Sequence, residues 1–143
     1  MSQALLEGVV VQEMVSGGTE LILGVTNDPL FGPAVMVGLG GVFAEVMKDV
    51  SFRLAPITRS EADSMLRELR GFPLLDGARG RPKADVPAAT EALMRLSALA
   101  VELRDSLAEL DINPLTVLPL GSGVRALDAL AKPRQVAAIK PER

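Results

Sequence analysis

Oxygen-bearing side chains alternate with apolar ones near the end of the sequence, in residues 109–113 (Glu-Leu-Asp-Ile-Asn). If this segment is a β-strand, Glu109, Asp111 and Asn113 share one face, because successive side chains of a strand point to opposite sides. Any one of them alone is better explained as a solvated residue on an edge strand before Pro114. Three such side chains together favour a site for a hard cation, since such cations prefer carboxylate and amide oxygens as ligands.

A second strand follows the short loop at residues 119–122 and brings a fourth oxygen ligand. Pairing of Leu118 with Gly123 across that loop places Asn113 opposite Asp128, with Cβ atoms about 5 Å apart. An amide oxygen and a carboxylate at that spacing can bind one Mg²⁺, which accepts one or two protein oxygens and keeps waters and substrate phosphates at its other positions. The sequence therefore predicts Asn113 and Asp128 as metal ligands.

The same hairpin carries a family resemblance. Residues 109–115 (Glu-Leu-Asp-Ile-Asn-Pro-Leu) and 126–129 (Ala-Leu-Asp-Ala) resemble the metal-binding strands of the ATP-grasp domain in NDP-forming acyl-CoA synthetases. That family includes ADP-forming acetyl-CoA synthetase and the β subunit of succinyl-CoA synthetase. Further segments resemble family signatures in the same order, and their order and spacing together make the resemblance specific. They are residues 11–14, 18–24, 28–33, 38–45, 48–56 and 75–80.

The resemblance implies separate roles for the polar residues of the hairpin. Asn113 and Asp128 would hold the Mg²⁺ that bridges the nucleotide phosphates, where a metal neutralises charge as a phosphoryl group moves. Asp111 matches a position that is usually acidic in relatives and is the candidate catalytic residue. It would orient a phosphorylated partner loop or a second metal.

The resemblance also implies a nucleotide site nearer the start of the chain. Gln12, Glu13 and Met14 match the strand whose backbone meets the adenine edge, and Glu20 matches an acidic residue beside the ribose. A simple buried strand is the alternative interpretation of residues 11–14, although Gln12 and Glu13 would then need polar partners.

A glycine-rich segment at residues 38–41 has two interpretations. Gly40 and Gly41 could present backbone N–H groups to a phosphate, and Glu45 stands where relatives have an acidic residue. A tight connection between two strands explains the glycines equally well.

The resemblance covers only the C-terminal part of an ATP-grasp domain. The lysine-bearing lobe that precedes it in relatives has no counterpart here, and the chain has no histidine to carry a phosphoryl group. The expected function is that of the nucleotide- and Mg²⁺-binding lobe of an ADP-forming acid–CoA ligase, with ATP or ADP as cofactor and no activity as an isolated chain. The expected partners are the missing N-terminal lobe and a CoA-binding, phosphohistidine-bearing subunit or domain, and self-association is also open. Two alternatives remain: a non-catalytic regulatory or assembly module, as in fusions with acetyltransferases, and a truncated inactive fragment.

Composition limits the other classes of function. The sequence has no cysteine, which excludes disulfides and cysteine-ligated zinc. A net charge of −3 and 3% aromatic residues give neither the basic surface nor the stacking platforms of a nucleic-acid-binding protein. No apolar run approaches the ~20 residues needed to span a bilayer, and the first residues lack the basic start of a signal peptide, so a cytoplasmic protein is expected.

Hydrophobic periodicity predicts the elements that position these residues. Strands are predicted at residues 8–15, 20–26, 34–37, 42–46 and 50–54, with a hairpin turn at 16–18 and with Val50, Phe52 and Leu54 forming a buried face. Thr58 and Glu61 form a capping box before one helix, Asp85 caps a second, and residues 74–82 form a loop between them. Two strands at 108–118 and 124–129 close the fold, before a flexible tail at 132–143. The predicted fold is α+β: a mostly antiparallel sheet with two helices on one face, an ATP-grasp C-terminal lobe in residues 1–131.

Overall fold

An antiparallel sheet of six strands forms the body of the protein in the computed structural model, which describes residues 7–41 and 48–134. From one edge the order is β3, β2, β1 and β4, and the short strands β5 and β6 lie one after the other along the outer side of β4. The predicted α+β fold is confirmed. The strands are β1 (Thr19–Asp28), β2 (Gly32–Leu39), β3 (Val50–Leu54), β4 (Leu107–Val117), β5 (Val124–Ala126) and β6 (Ala129–Pro133).

Two longer helices, α1 (Arg59–Glu68) and α3 (Val86–Glu102), pack on one face of the sheet. The predicted capping box is present, because Thr58 accepts from the Glu61 N–H and the Glu61 carboxylate accepts from the Thr58 N–H. Asp85 caps α3 as predicted. A short helix, α2 (Phe72–Leu75), begins before the predicted loop and runs into it, and a 3₁₀ turn, Ala78–Gly80, lies within the loop. No helix of the described ranges is both long and apolar enough to cross a membrane.

The core lies between these helices and alternate residues of the central strands. Burial of each large apolar side chain there stabilises the fold by about 1.5–3 kcal/mol. The side chains that are almost wholly buried include Leu21, Leu23, Val35, Val37, Met65, Leu66 and Leu93. We call the other side of the sheet the open face. It carries a cleft of about 280 Å³ lined by residues that include Gly24, Thr26, Met36, Phe52 and Asp111.

The first predicted strand is wrong. Residues 7–16, which we call the N-terminal arm, form no strand and no hairpin with β1. Val9, Val11 and Met14 are 91%, 92% and 93% exposed. Strand-forming residues need a sheet edge for their backbone hydrogen bonds, and both edges of β1 are already paired with β2 and β4.

The predicted orientation of β3 is also wrong. Phe52 is 56% exposed on the open face, whereas Ser51 is 6% exposed and donates a hydrogen bond to Glu68 Oε2 of α1 at 2.7 Å. Arg53 points the same way and pairs with Glu68. These contacts, that with Ser51 first, hold the pKa of the Glu68 carboxyl below its ordinary value. The two faces of β3 alternate as predicted, but alternation alone does not indicate which face α1 covers.

The end of the chain differs from the prediction in detail. The predicted strand at 124–129 is interrupted at Leu127 and Asp128, and its continuation β6 runs through Lys132 and Pro133, which were assigned to the tail. Residues 135–143 lie outside the described residues, as do the predicted strand at 42–46 and Glu45. The predicted boundary between lobe and tail stays a prediction.

Candidate functional site

The hairpin that carries the predicted metal ligands has the predicted register. Leu118 N–H donates to the Gly123 carbonyl at 3.0 Å, which closes the loop. Five residues further back, Asn113 N–H donates to the Asp128 carbonyl at 3.1 Å. The two side chains therefore arise from directly opposed positions, where Cβ atoms lie about 5 Å apart.

A β-bulge lies at Asn113. On the β1 side, Leu21 pairs with Leu115 and Leu23 pairs with Ile112. One residue of β1 thus faces two residues of β4, Asn113 and Pro114. Bulges redirect a side chain at the point where the ladder is broken and are common beside active sites. The sequence signal was Pro114 itself, because proline occurs within a central strand only at such irregularities.

The ligand chemistry of the pair fits a hard cation. Asn113 and Asp128 are both exposed, and Asp128 Oδ1 accepts from the neighbouring Ala129 N–H at 2.8 Å. Within residues 7–41 and 48–134 no three carboxylates are grouped closely enough to bind a metal by themselves. An ion held here would take two oxygens from the protein and the rest from water or phosphate, which is the coordination that Mg²⁺ adopts with nucleotides.

Asp111 and Glu109 line the cleft of the open face, whereas Leu110 and Ile112 pack towards the core. Lys132 Nζ of β6 donates a hydrogen bond to Glu109 Oε2 at 2.6 Å, and this bond raises the pKa of the Lys132 ammonium. Asp111 forms no ion pair within the described part of the chain. Of the two carboxylates, Asp111 is therefore the one available to a ligand or a partner.

Glu20 and the glycine segment are brought together at one end of β1 and β2. Gly40 N–H donates to the Glu20 carbonyl at 2.8 Å. A Cβ at Gly40 would lie 2.9 Å from the Glu20 Cβ, and one at Gly41 would lie 3.3 Å from Glu20 Oε2. The predicted ribose-binding and phosphate-binding residues thus form one cluster, although Glu45 lies outside the described residues. The Gly40 N–H was predicted to face a phosphate, but it donates to the Glu20 carbonyl instead.

The predicted adenine-edge residues are not part of this cluster. Gln12, Glu13 and Met14 lie on the N-terminal arm, with their side chains exposed. Their role stays a prediction.

Thr116 is a residue of this region that the sequence pattern did not predict. It lies opposite Glu20 across β1 and β4 and is 3% exposed. Its Oγ1 has no hydrogen-bond partner within the described residues. The available signal was a single hydroxyl in the apolar run 115–118, because a buried polar group calls for a partner.

Asp49, which directly precedes β3, was not predicted from the sequence either. Its buried carboxylate accepts hydrogen bonds from the N–H groups of Arg70 and Gly71 at 2.8 and 2.9 Å. Its carbonyl accepts from Leu39 N–H at 3.3 Å. Asp49 therefore ties the end of β2 to the segment that follows α1.

Comparison with known proteins shows which family this chain is similar to. A family model described as an ATP-grasp domain matches residues 1–132. The chain is 50% identical over 124 residues to acetate–CoA ligase [ADP-forming] I of Archaeoglobus fulgidus, covering 87% of this chain and 18% of that protein. It is 45% identical over 122 residues to acetate–CoA ligase [ADP-forming] II subunit beta of Pyrococcus furiosus, covering 85% of this chain and 52% of the subunit.

A solved structure shares the fold. It is that of the Ca. Korarchaeum cryptofilum dinucleotide forming acetyl-coenzyme A synthetase 1 in complex with coenzyme A and Mg-AMPPCP. The TM-score is 0.80 at 44% identity, over 86% of this chain and 56% of that one. The chain thus spans about half the length of the subunits that it resembles and under a fifth of the longer A. fulgidus enzyme.

Proposed function

The chain belongs to the ATP-grasp family, and from that premise we propose that it is the nucleotide- and Mg²⁺-binding lobe of an ADP-forming acid–CoA ligase. The observation that carries the proposal is the hairpin register that sets Asn113 opposite Asp128. The proposed reaction is acid + CoA + ATP ⇌ acyl-CoA + ADP + phosphate, completed together with other domains or subunits. As an isolated chain the lobe is expected to be inactive.

Asn113 and Asp128 are the proposed Mg²⁺ ligands. A metal bound there would neutralise the charge of the transferring phosphoryl group. Asp111, next on the same face of β4, is proposed to orient the phosphorylated segment of a partner. The Korarchaeum relative supports a magnesium–nucleotide site and a phosphorylated partner segment in general, since its structure holds Mg-AMPPCP and has a phosphohistidine segment pointing towards the nucleotide binding site.

The proposed nucleotide path runs from the Glu20 cluster to the metal pair. Glu20 would accept hydrogen bonds from the ribose hydroxyls, and the N–H group of Gly41 would face the phosphates. The N–H of Gly40 donates to the Glu20 carbonyl, so Gly40 is proposed only to hold the two residues together. Thr116 is opposite Glu20, and Asn113 lies three residues further along the same strand, a distance of about 10 Å at the usual rise per residue. A nucleotide with its phosphate chain can bridge that distance.

Exposed apolar surface supports the proposed partner lobe. The arm presents its valines to solvent, and Phe52 and Leu54 do the same on the open face. Apolar surface of this kind is typical of an interface. The partners that we propose are the missing ATP-grasp lobe and a CoA-binding subunit or domain.

Calorimetric titration with Mg²⁺–ATP and Mg²⁺–ADP tests the assignment. The full chain is titrated alone and after addition of the part of the P. furiosus beta subunit that this chain does not match, which is proposed to supply the missing lobe. Asn113→Ala and Asp128→Ala should each weaken binding at least tenfold, by about 1.4 kcal/mol or more. Asp105→Ala, which removes a 90% exposed carboxylate on the turn before β4, is the matched control and should bind normally.

Two results would contradict the proposal. Binding that is unaffected by either ligand substitution would remove the metal assignment. Absence of binding even with the added lobe present would remove the nucleotide site and leave a non-catalytic module as the better description.

A further inference from the structure

We propose that Asp85 is a positioning residue for the Asn113–Asp128 pair. It holds the turn of the β4–β5 hairpin and thereby fixes the register that brings the two ligands together. The inference rests on the metal pair proposed above, but its structural part can be tested without any metal.

The Asp85 carboxylate is buried among backbone donors. The residue is 7% exposed, and Oδ2 accepts from the N–H groups of Gly121 and Gly123, at 2.9 Å each. Oδ1 accepts from Ala88 N–H at 3.2 Å, which is the N-cap contact of α3. Hydrogen bonds to a charged acceptor are stronger than neutral ones, and a buried carboxylate without them would be strongly unfavourable.

The backbone around Asp85 holds the same turn. Asp85 N–H donates to the Leu118 carbonyl at 2.8 Å, and Leu120 N–H donates to the Lys83 carbonyl at 2.9 Å. Ala84 and Pro119 form a β-bridge between these two contacts. The hairpin turn is therefore attached to the start of α3 through both main chain and side chain.

This attachment is specific for one register. Gly121 and Gly123 both have positive φ, at 84° and 79°, and direct their N–H groups at one oxygen atom. A slip by one residue would replace these glycines by their neighbours and would turn every side chain of β5 to the other face of the sheet. The two hydrogen bonds of Asp85 Oδ2 oppose that slip.

Asp128 depends on this register more than Asn113 does. Asn113 lies within β4, which β1 holds on its other side. Asp128 lies in the interruption between β5 and β6, so its position opposite Asn113 follows from the pairing that begins at Leu118 and Gly123. Loosening the turn should therefore displace Asp128 first.

Two substitutions separate the roles of Asp85. Serine is a good N-cap, but its side chain is too short to reach the turn, so Asp85→Ser keeps the cap of α3 and removes the turn contacts. Asp85→Ala removes both. Thr58→Ala is the control, because it removes the N-cap of α1, which is not part of the hairpin.

The test uses the full 143-residue chain. Amide hydrogen exchange is followed by NMR at Asn113 and Leu118, whose N–H groups report the hairpin register, and Mn²⁺ binding is measured by electron paramagnetic resonance. In Asp85→Ser both amides should exchange at least about tenfold faster than in the wild type, because the turn loses two charge-assisted hydrogen bonds. The Mn²⁺ affinity should fall by a similar factor. Thr58→Ala should lower the Tm but should leave the Mn²⁺ affinity unchanged and should not speed exchange at Asn113 and Leu118 more than at other amides.

The outcomes separate this proposal from the proposed function. If Asp85→Ser exchanges and binds Mn²⁺ as the wild type does, the positioning role is wrong. If Thr58→Ala produces the same changes, the effect is general destabilisation and the role is equally wrong. If the isolated wild type binds no Mn²⁺, the exchange rates alone decide whether Asp85 sets the register, and the metal pair is decided by the titration with the added lobe.

Discussion

Gly40 lies against the backbone of Glu20, and its N–H donates to the Glu20 carbonyl at 2.8 Å. A Cβ at position 40 would lie 3.0 Å from the Glu20 carbonyl carbon and 3.1 Å from its oxygen. Only glycine allows this approach without a shift of the backbone.

Gly40→Ala should therefore weaken both stability and nucleotide binding. Since the obstacle is main chain, we expect the free energy of unfolding to fall by about 1–3 kcal/mol, as for other overpacked sites. Urea unfolding measures this, and Gly24→Ala is the control because its nearest neighbour is the flexible Met36 methyl group at 3.2 Å. Equal effects of the two substitutions would contradict this interpretation.

Asn113→Asp should make stability depend on metal. Two carboxylates opposed across a strand pair repel one another and should destabilise the metal-free protein by about 0.2–1 kcal/mol. The Tm should then rise more with added Mn²⁺ than the wild-type Tm does, because the added charge favours the cation. A variant that is destabilised but gains nothing from Mn²⁺ would argue against a cation between these side chains.

Phe52→Ser should be tolerated by the isolated chain although it replaces a large apolar residue. Because Phe52 is 56% exposed on the open face, the change in unfolding free energy should stay within about 1 kcal/mol. Leu23→Ala, in the core, should instead lose about 2–5 kcal/mol. Denaturant titration compares the two. Binding of the added lobe should weaken in Phe52→Ser, and unchanged binding would place the interface elsewhere.

The capping box should contribute to acid sensitivity. The Thr58 N–H, then its hydroxyl, lower the pKa of the Glu61 carboxyl from its ordinary 4.5. A folded-state pKa below the unfolded one gives stability that is present above pH 4.5 and is lost as the pH falls through the folded value. Glu61→Gln keeps an acceptor at the capping position but does not titrate.

The measurement is Tm against pH for the wild type and Glu61→Gln. The wild type should lose more of its Tm below pH 4.5 than the variant does. Parallel curves would show that other carboxylates account for the acid sensitivity.

Local sequence rules predicted the hairpin and both principal caps. The pairing of Asn113 with Asp128 follows by counting back from a four-residue loop, because the interruption at Leu127 and Asp128 does not shift the one-for-one register. The bulge lies on the other side of β4 and leaves this count intact. The Thr58 and Asp85 caps involve contacts three residues away and were visible for the same reason.

Features that depend on distant partners were not predictable in this way. Whether Val9 and Val11 join a strand depends on a free sheet edge, which their own pattern cannot reveal. The outward direction of Phe52 depends on where α1 packs. The turn contacts of Asp85 join it to Gly121 and Gly123, which lie 36 and 38 positions further along the chain. Local periodicity therefore cannot predict them.

The arm is joined to β1 through Gly17 and Gly18 alone, and Glu20 follows within two residues. A partner that binds the arm is therefore tethered within a few residues of the proposed ribose site. Short tethers give effective concentrations on the order of millimolar. A separately supplied lobe that has bound the arm would therefore be present at the open face at such a concentration. Nucleotide affinity should then rise with protein concentration for the two-piece assembly and be independent of it in a fused chain.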